Sequence, residues 1–193
     1  MIKYIPSFLL ILLLCSFALP VSFGERLAKA AIQLTAQRVV YDPTYFRISY
    51  PKGDVPVGKG VCTDVVIRAY RQVGIDLQQR VHEDMKAHFA LYPKIWKLKH
   101  PDTNIDHRRV PNLMVFFARY GQVKTLAKDA SAYVPGDIVC WNLGGAVTHI
   151  GLVSDKKSID GERYLIVHNI GAGQVMEDVL FTYTIIGHYF YSG

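Results

Sequence analysis

Hydrophobic residues recur along the first two thirds of the chain at the spacing of amphipathic helices. Apolar residues repeat at intervals of three and four through residues 25–37 and again from Cys62 to Val73. Val81–Leu91 has a helical composition, and Leu113–Tyr120 is a shorter apolar run. Glycine or proline follows each of the last three segments closely, as is typical where helices end. The pattern therefore predicts four helices.

Two other segments of this region have the composition of strands and loops. Tyr41–Tyr50 is rich in aromatic and β-branched residues and contains or precedes a proline near each end, which predicts a short strand. Glycine, proline and aspartate dominate residues 51–60, and residues 93–111 contain prolines and several charges. Both of these segments are predicted to be loops.

The last third of the chain has a different pattern, with short β-rich runs between Gly, Asn and Asp turns. The runs are Val134–Leu143, Thr148–Asp155, Arg163–Ile170 and Ile185–Ser192. Helices come first along the chain and strands that read as antiparallel come second, which is the order of an α+β domain. We therefore expect N-terminal helices packed on an antiparallel β-sheet.

The N-terminus has the features of a secretory signal peptide. Lys3 supplies a positive charge, Phe8–Leu19 is apolar, and small residues stand three and one positions before Glu25. This predicts a signal peptide at 1–24, a single domain at 25–193, and a periplasmic or secreted protein. The apolar run is shorter than the roughly 20 residues of a membrane span, so none is expected after cleavage. An uncleaved N-terminal anchor is the alternative.

Composition and charge narrow the class of partner. Hydrophobic residues make up 50% of the 193-residue chain and charged residues 20%, as in a globular protein. The net charge of +6 suits an anionic partner, such as an acidic cell-wall polymer. The basic residues form no long run, so we expect no nucleic-acid partner, and we expect a monomer.

Two cysteines remain outside the leader, and their surroundings differ. Cys62 follows a Gly-Lys-Gly segment and begins a predicted helix, where the helix dipole lowers a thiol pKa and favours a nucleophile. Cys140 lies within a β-rich run between apolar neighbours, which predicts a core residue. A disulfide between the two is the alternative in an exported protein.

A nucleophilic cysteine needs a base and a group that orients the base. His149 begins one predicted strand, and His168 ends the next, with Asn169 beside it. Because the start of one antiparallel strand lies beside the end of the next, the two histidines are expected to be neighbours. Cys62, His149 and His168 would then form a catalytic triad. Zinc binding by the same three residues is the rival chemistry, but we predict no metal and no cofactor.

These residues stand in motifs that carry a family resemblance. GVCTDVVIRAYR, PGDIVCWNLGG, THIGLVSD and VHNIGAGQVMED lie between residue 41 and the C-terminus. The motifs resemble those of the NlpC-type cell-wall peptidases of the papain-like superfamily and, more closely, the YijF-like family of exported bacterial proteins. The resemblance implies a papain-like fold, Cys62 as nucleophile, His149 as base, His168 as the third polar residue, and hydrolysis of amide bonds in peptidoglycan stem peptides. NlpC-type enzymes have D-C-S-G at the nucleophile, where this chain has V-C-T-D.

Five further residues are candidates for substrate binding. Arginine side chains suit the carboxylates of stem peptides, the Tyr50 hydroxyl is a candidate donor to a developing oxyanion, as in NlpC-type sites, and Asn169 lies close to the histidines. The candidates are Tyr50, Asp64, Arg108, Arg109 and Asn169.

Two other functions are compatible with the same residues. One is a non-catalytic cell-wall-binding domain on the same fold, because a fold does not determine function. The other is a secreted effector that degrades the wall of a rival cell.

Overall fold

The computed structural model describes residues 20–193, so nearly all of the predicted signal peptide lies outside the described residues. The chain forms an α+β domain in which helices precede most of the sheet. The helices are α1 (Phe23–Leu34), α2 (Cys62–Gln72), α3 (Leu77–His88) and α4 (Val110–Tyr120). Within residues 20–193, no helix is both long enough and apolar enough to cross a membrane.

The strands form one large antiparallel sheet and one small parallel pair. The small pair is β1 (Val40–Tyr41) and β2 (Lys59–Gly60). The large sheet has the order β3-β8-β4-β5-β6-β7. Its strands are β3 (Gln122–Val123), β4 (Ile138–Asn142), β5 (Thr148–Lys157), β6 (Tyr164–His168), β7 (Val175–Glu177) and β8 (Thr184–Phe190).

Side-chain alternation gives the large sheet two different faces. Ile150 and Leu152 of β5 belong to the main core, in which the apolar sides of α1 and α2 are buried. The side chain of Val153, the next residue of β5, points to the opposite face, where it packs with Trp141 and Ile166 in a second, smaller core. β5 thus runs between both cores, and its first residues lie near the N-terminus of α2.

The predicted strand over Tyr41–Tyr50 is wrong beyond its first residue. Side chains from a distant loop bind the backbone of this segment in place of a neighbouring strand. Arg108 donates to the carbonyl of Thr44, and the N–H of Ile48 donates to Asn104. The segment is extended, but its hydrogen bonds depend on residues about 60 positions later in the chain.

Several element boundaries also differ from those predicted. α1 begins at Phe23, because Ser22 and Glu25 cap each other's backbone in a reciprocal pair. The predicted cleavage site before Glu25 therefore lies in the first turn of this helix. α3 begins four residues before the predicted Val81, and the two- and three-residue strands β3 and β7 were not predicted.

Candidate active site

Cys62 is the first residue of α2, and the preceding loop is held from several sides. The N–H of Val61 donates to the Asp64 carboxylate at 2.7 Å. The carbonyl of Gly60 accepts from the Asn169 side chain at 3.2 Å and from the N–H of Asp42 at 3.1 Å. The position of the thiol is thus determined by the helix, by β1 and by the residue that follows β6.

Asp64 and Arg108, both predicted to bind substrate, bind each other. The Arg108 guanidinium donates to both Asp64 oxygens, with the shortest contact at 3.0 Å, and both side chains are buried. Arg108 also donates to the carbonyls of Asp42 and Thr44. This ion pair joins the loop around the 3₁₀ helix at 106–108 to the start of α2, so it supports the cleft from inside. Asn169 is likewise buried and acts on the Gly60 loop.

His149 and His168 are in direct contact where β5 begins and β6 ends. His149 Nε2 lies 2.8 Å from His168 Nδ1, and both rings are buried. The register of β5 and β6 pairs Leu152 with Val167, so it places His168 opposite Gly151 and diagonal to His149. The His149 ring also packs on Trp141, with a centroid distance of 5.7 Å. The neighbours expected from antiparallel pairing are therefore present.

Gly151 explains the glycine in the His-Ile-Gly motif. A Cβ atom at this position would lie 2.7 Å from Ile166 Cγ2 and 3.2 Å from His168 Cβ. Contacts this short would force β6 to shift. The absence of a side chain at Gly151 lets His168 approach His149.

The Cys62 thiol lies against the start of β5. The backbone N–H groups of Ile150, Thr63 and Cys62 itself face the sulfur and lower the thiol pKa. Burial has the larger and opposite effect, because only 6% of Cys62 is exposed, and it raises the pKa to about 12. The expectation that the helix dipole would activate the thiol in the resting state is therefore wrong: desolvation outweighs the helix N-terminus.

His149 is also uncharged at rest. Burial, with a smaller effect of His168, lowers the pKa of His149 to about 3. Burial lowers the pKa of His168 as well, although Glu177 acts in the opposite direction. The resting site therefore contains a neutral thiol and neutral imidazoles instead of a thiolate–imidazolium pair.

An open cleft of about 220 Å³ lies above Cys62. Its lining includes apolar, aromatic and basic side chains, among them Tyr41, Trp96, Arg109, Pro111 and Thr148. The Arg109 guanidinium lies 4.2 Å from the centroid of the Trp96 ring and contacts Asp106 at 3.3 Å. Both predicted arginines line the cleft, but the Arg108 side chain is 1% exposed and bound to Asp64, whereas the Arg109 side chain is 15% exposed.

The structure places Tyr50 outside this cleft. Its ring packs edge-on against His82, with a centroid distance of 5.0 Å. Tyr41 lines the cleft with Cys62 instead, and burial followed by the nearby thiol raises its pKa. Sequence reasoning missed Tyr41 because it placed both tyrosines in one strand, with no signal to show which one turns toward the thiol.

Glu177 is a second residue that sequence reasoning missed. Its carboxylate lies 2.9 Å from His168 Nε2, so hydrogen bonds join His149, His168 and Glu177 in that order. The residue belongs to β7, whose three residues are too few to predict a strand from sequence.

Cys62 and Cys140 are both free, and Cys140 is fully buried in the main core. The alternative disulfide is therefore not formed. In the part of the chain that the structure describes, no group of three or more His, Cys, Asp or Glu side chains is arranged to hold a metal ion.

The fold and the site together define a class of protein: an α+β domain that places a helix-start thiol beside a hydrogen-bonded histidine pair. Residues 28–191 match a family model described as a domain of unknown function, DUF1287, and the chain belongs to this family. It is 52% identical to the "Uncharacterized protein YijF" of Escherichia coli (strain K12) over 165 residues, which cover 86% of this chain and 80% of that protein. The resemblance to a YijF-like family is thus confirmed. No solved structure matches the chain.

Proposed function

We propose that this protein is an exported cysteine hydrolase that cleaves amide bonds, with peptidoglycan stem peptides as its substrates. The observation that carries the proposal is the 2.8 Å contact between His149 and His168 at the start of β5, where the Ile150 N–H faces the Cys62 sulfur. A buried thiol needs no such histidine pair for packing, whereas acyl transfer needs a base and a group that orients it.

The neutral resting pair indicates how the reaction begins. A free thiolate is costly at a thiol pKa of about 12, so attack and deprotonation occur together. His149 takes the Cys62 proton as the sulfur bonds to the amide carbonyl carbon, and an oxyanion forms. His149 then gives that proton to the leaving amine as the C–N bond breaks. Water, deprotonated by His149, hydrolyses the thioester and releases the acid and the free thiol.

Two groups are placed to stabilise the oxyanion. The backbone N–H groups of Cys62 and Thr63, at the start of α2, face the sulfur. An oxyanion that forms beside the sulfur can accept hydrogen bonds from such donors. The Tyr41 hydroxyl is the second candidate, because this residue lines the cleft with Cys62. Tyr41 thus takes the role that sequence reasoning gave to Tyr50.

The cleft and the charge of the chain support an anionic substrate. Arg109 offers a guanidinium at the cleft wall, and arginine binds carboxylates with two parallel hydrogen bonds. The net charge of +6 favours approach to an acidic polymer. Stem peptides contain several carboxylates and amide bonds. A periplasmic or secreted location, a papain-like fold of the NlpC type and a monomeric state complete the proposal.

One observation favours a second candidate, a non-catalytic wall-binding domain. Only 6% of Cys62 and 3% of His149 are exposed, so a substrate must displace part of the cleft wall to reach the thiol. A binding domain would use Trp96 and Arg109 without any need for the thiol.

Digestion of purified peptidoglycan distinguishes the two candidates. We expect the wild-type protein and a Cys140→Ala control to release new muropeptides, detected by mass spectrometry, and Cys62→Ala to release none. Sedimentation of the protein with peptidoglycan measures binding in parallel. If the wild-type protein and Cys140→Ala bind peptidoglycan from several wall types but release no new fragments, the hydrolase proposal is wrong and the wall-binding domain is favoured.

Tyr41 and Tyr50 form a matched pair for the oxyanion assignment. Loss of one oxyanion donor lowers kcat by about 10²–10³-fold in hydrolases of this kind. We therefore expect kcat for hydrolysis to fall by this factor in Tyr41→Phe and to stay at the wild-type value in Tyr50→Phe. Equal activity of the two variants would remove Tyr41 from the mechanism.

A further inference from the structure

The histidine pair ends on a carboxylate that the Cys-His-His proposal does not use. In the register of β6 and β7, Ile166 lies opposite Glu177 and His168 opposite Val175. Glu177 is therefore diagonal to His168 on the same face of the sheet, which brings its carboxylate 2.9 Å from His168 Nε2. The two histidines and Glu177 form a continuous chain of hydrogen bonds.

The chemistry of each group gives this chain one direction. An ionised carboxylate can only accept a hydrogen bond, so the proton between Glu177 and His168 must be on His168 Nε2. A neutral imidazole carries one N–H, so His168 Nδ1 must then be an acceptor. Its partner, 2.8 Å away, is His149 Nε2, which must donate.

The direction of these hydrogen bonds determines which nitrogen of His149 has a free lone pair. If Nε2 of His149 carries the proton, the lone pair of the neutral ring is on Nδ1. Among the hydrogen bonds of residues 20–193, the His149 ring takes part through Nε2 and not through Nδ1, so the Nδ1 lone pair is free to accept a proton. Reversing every hydrogen bond in the chain would place the proton on Nδ1, and His149 would then have no free lone pair with which to accept a proton.

We propose that Glu177 is a positioning residue that sets the tautomers of both histidines and thereby leaves the Nδ1 lone pair of His149 free to accept the Cys62 proton. The carboxylate acts through His168 and does not touch the reacting atoms. When His149 is protonated during the reaction, both N–H donors of the chain stay in place, so no further proton needs to move. The role in catalysis rests on the proposed function, whereas the tautomers are a property of the resting protein.

Two substitutions of Glu177 test whether the residue must accept a hydrogen bond from His168 or need only touch it. The Glu177 side chain is 43% exposed, so substitutions at this position do not disturb the core. Lysine has only donors and would force His168 Nε2 to accept, which reverses the chain. Glutamine keeps a carbonyl acceptor. Glu162→Lys changes the net charge equally at an exposed turn and is the matched control.

Nitrogen-15 NMR of histidine-labelled protein at neutral pH measures the tautomers without any substrate. We expect His149 of the wild type, Glu177→Gln and Glu162→Lys to carry its proton on Nε2, and Glu177→Lys to shift the proton to Nδ1. Glu177→Ala, which removes the acceptor, should give a mixture. A wild-type His149 protonated at Nδ1 would overturn the proposal, as would unchanged tautomers in both Glu177→Lys and Glu177→Ala.

Peptidoglycan digestion is the second measurement. General-base catalysis contributes about 10²–10⁴-fold, so hydrolysis by Glu177→Lys should fall about 100-fold or more below that of Glu162→Lys. Equal rates combined with a reversed tautomer would exclude Glu177 from positioning the base. If even the wild type hydrolyses nothing, the proposed function fails, and the nitrogen resonances still decide whether Glu177 sets the tautomers.

Discussion

The pH dependence of Cys62 alkylation tests whether the resting site is neutral. Burial raises the thiol pKa to about 12, so at pH 7, five units lower, about one thiol in 10⁵ is ionised. An ordinary cysteine, with a pKa of about 8.5, is about 3% ionised at the same pH. Because the thiolate is the reactive species, the alkylation rate should rise about tenfold per pH unit from pH 6 to pH 10.

The assay is alkylation by iodoacetamide, followed by proteolysis and mass spectrometry of the Cys62 peptide. The shape of the pH profile is compared, so that slow access to the buried thiol affects every point equally. An unstructured cysteine peptide should level off near its own pKa, whereas Cys62 should not. His149→Ala should keep the wild-type profile, because a neutral base does not stabilise a thiolate at rest, and His100→Ala in an exposed loop serves as the control.

A plateau in the Cys62 rate between pH 5 and pH 8 would refute this reasoning. Such a plateau is the signature of a preformed thiolate–imidazolium pair. It would mean that the helix N-terminus and His149 together outweigh desolvation, and its loss in His149→Ala would identify the partner.

Three further predictions concern stability, each measured by urea unfolding. Gly151→Ala should lower the free energy of unfolding by about 1–3 kcal/mol, because the new methyl group would lie 2.7 Å from Ile166 Cγ2; an unchanged value would contradict the close approach. Arg108→Ala should lower the free energy of unfolding by about 3–5 kcal/mol, because Asp64 would stay buried without its ion-pair partner. A change near zero would show that water replaces the guanidinium. Burial raises the pKa of Asp106 to about 6, so the folded state binds this proton more tightly than the unfolded state, and the contribution of Asp106 to stability is lost as pH rises from about 4 to about 6. Asp106→Asn should remove this pH dependence of stability. If the unfolding free energies of the wild type and Asp106→Asn change in parallel with pH, the prediction is wrong.

Much of the fold follows from local pattern, because helices and strands bury one side at a fixed period. The pattern predicts α2 from Cys62 onward, and the helix begins there. The four β-rich runs of the last third correspond to β4, β5, β6 and β8. Consecutive strands with short turns pair in antiparallel fashion, so the order of residues along the chain is enough to predict the contact between His149 and His168.

The failures around the candidate site have a common physical cause, because each depends on contacts between residues far apart in the chain. Arg108 binds Asp64, 44 positions earlier, and the segment before α2 takes its hydrogen bonds from the same distant loop. Sequence alone gives no measure of such contacts. For the same reason sequence reasoning selects Tyr50, whereas the structure places Tyr41 in the cleft.

The chain by itself was enough to predict the candidate site: a thiol at a helix start and two histidines at paired strand ends. Tertiary structure decided what state those groups adopt. The helix dipole is a local effect and predicted an activated thiol, but packing of α2 on β5 removes Cys62 from water, and desolvation outweighs the dipole. Likewise, only the pairing of β7 with β6 brings Glu177 to His168, and that contact sets where the protons lie.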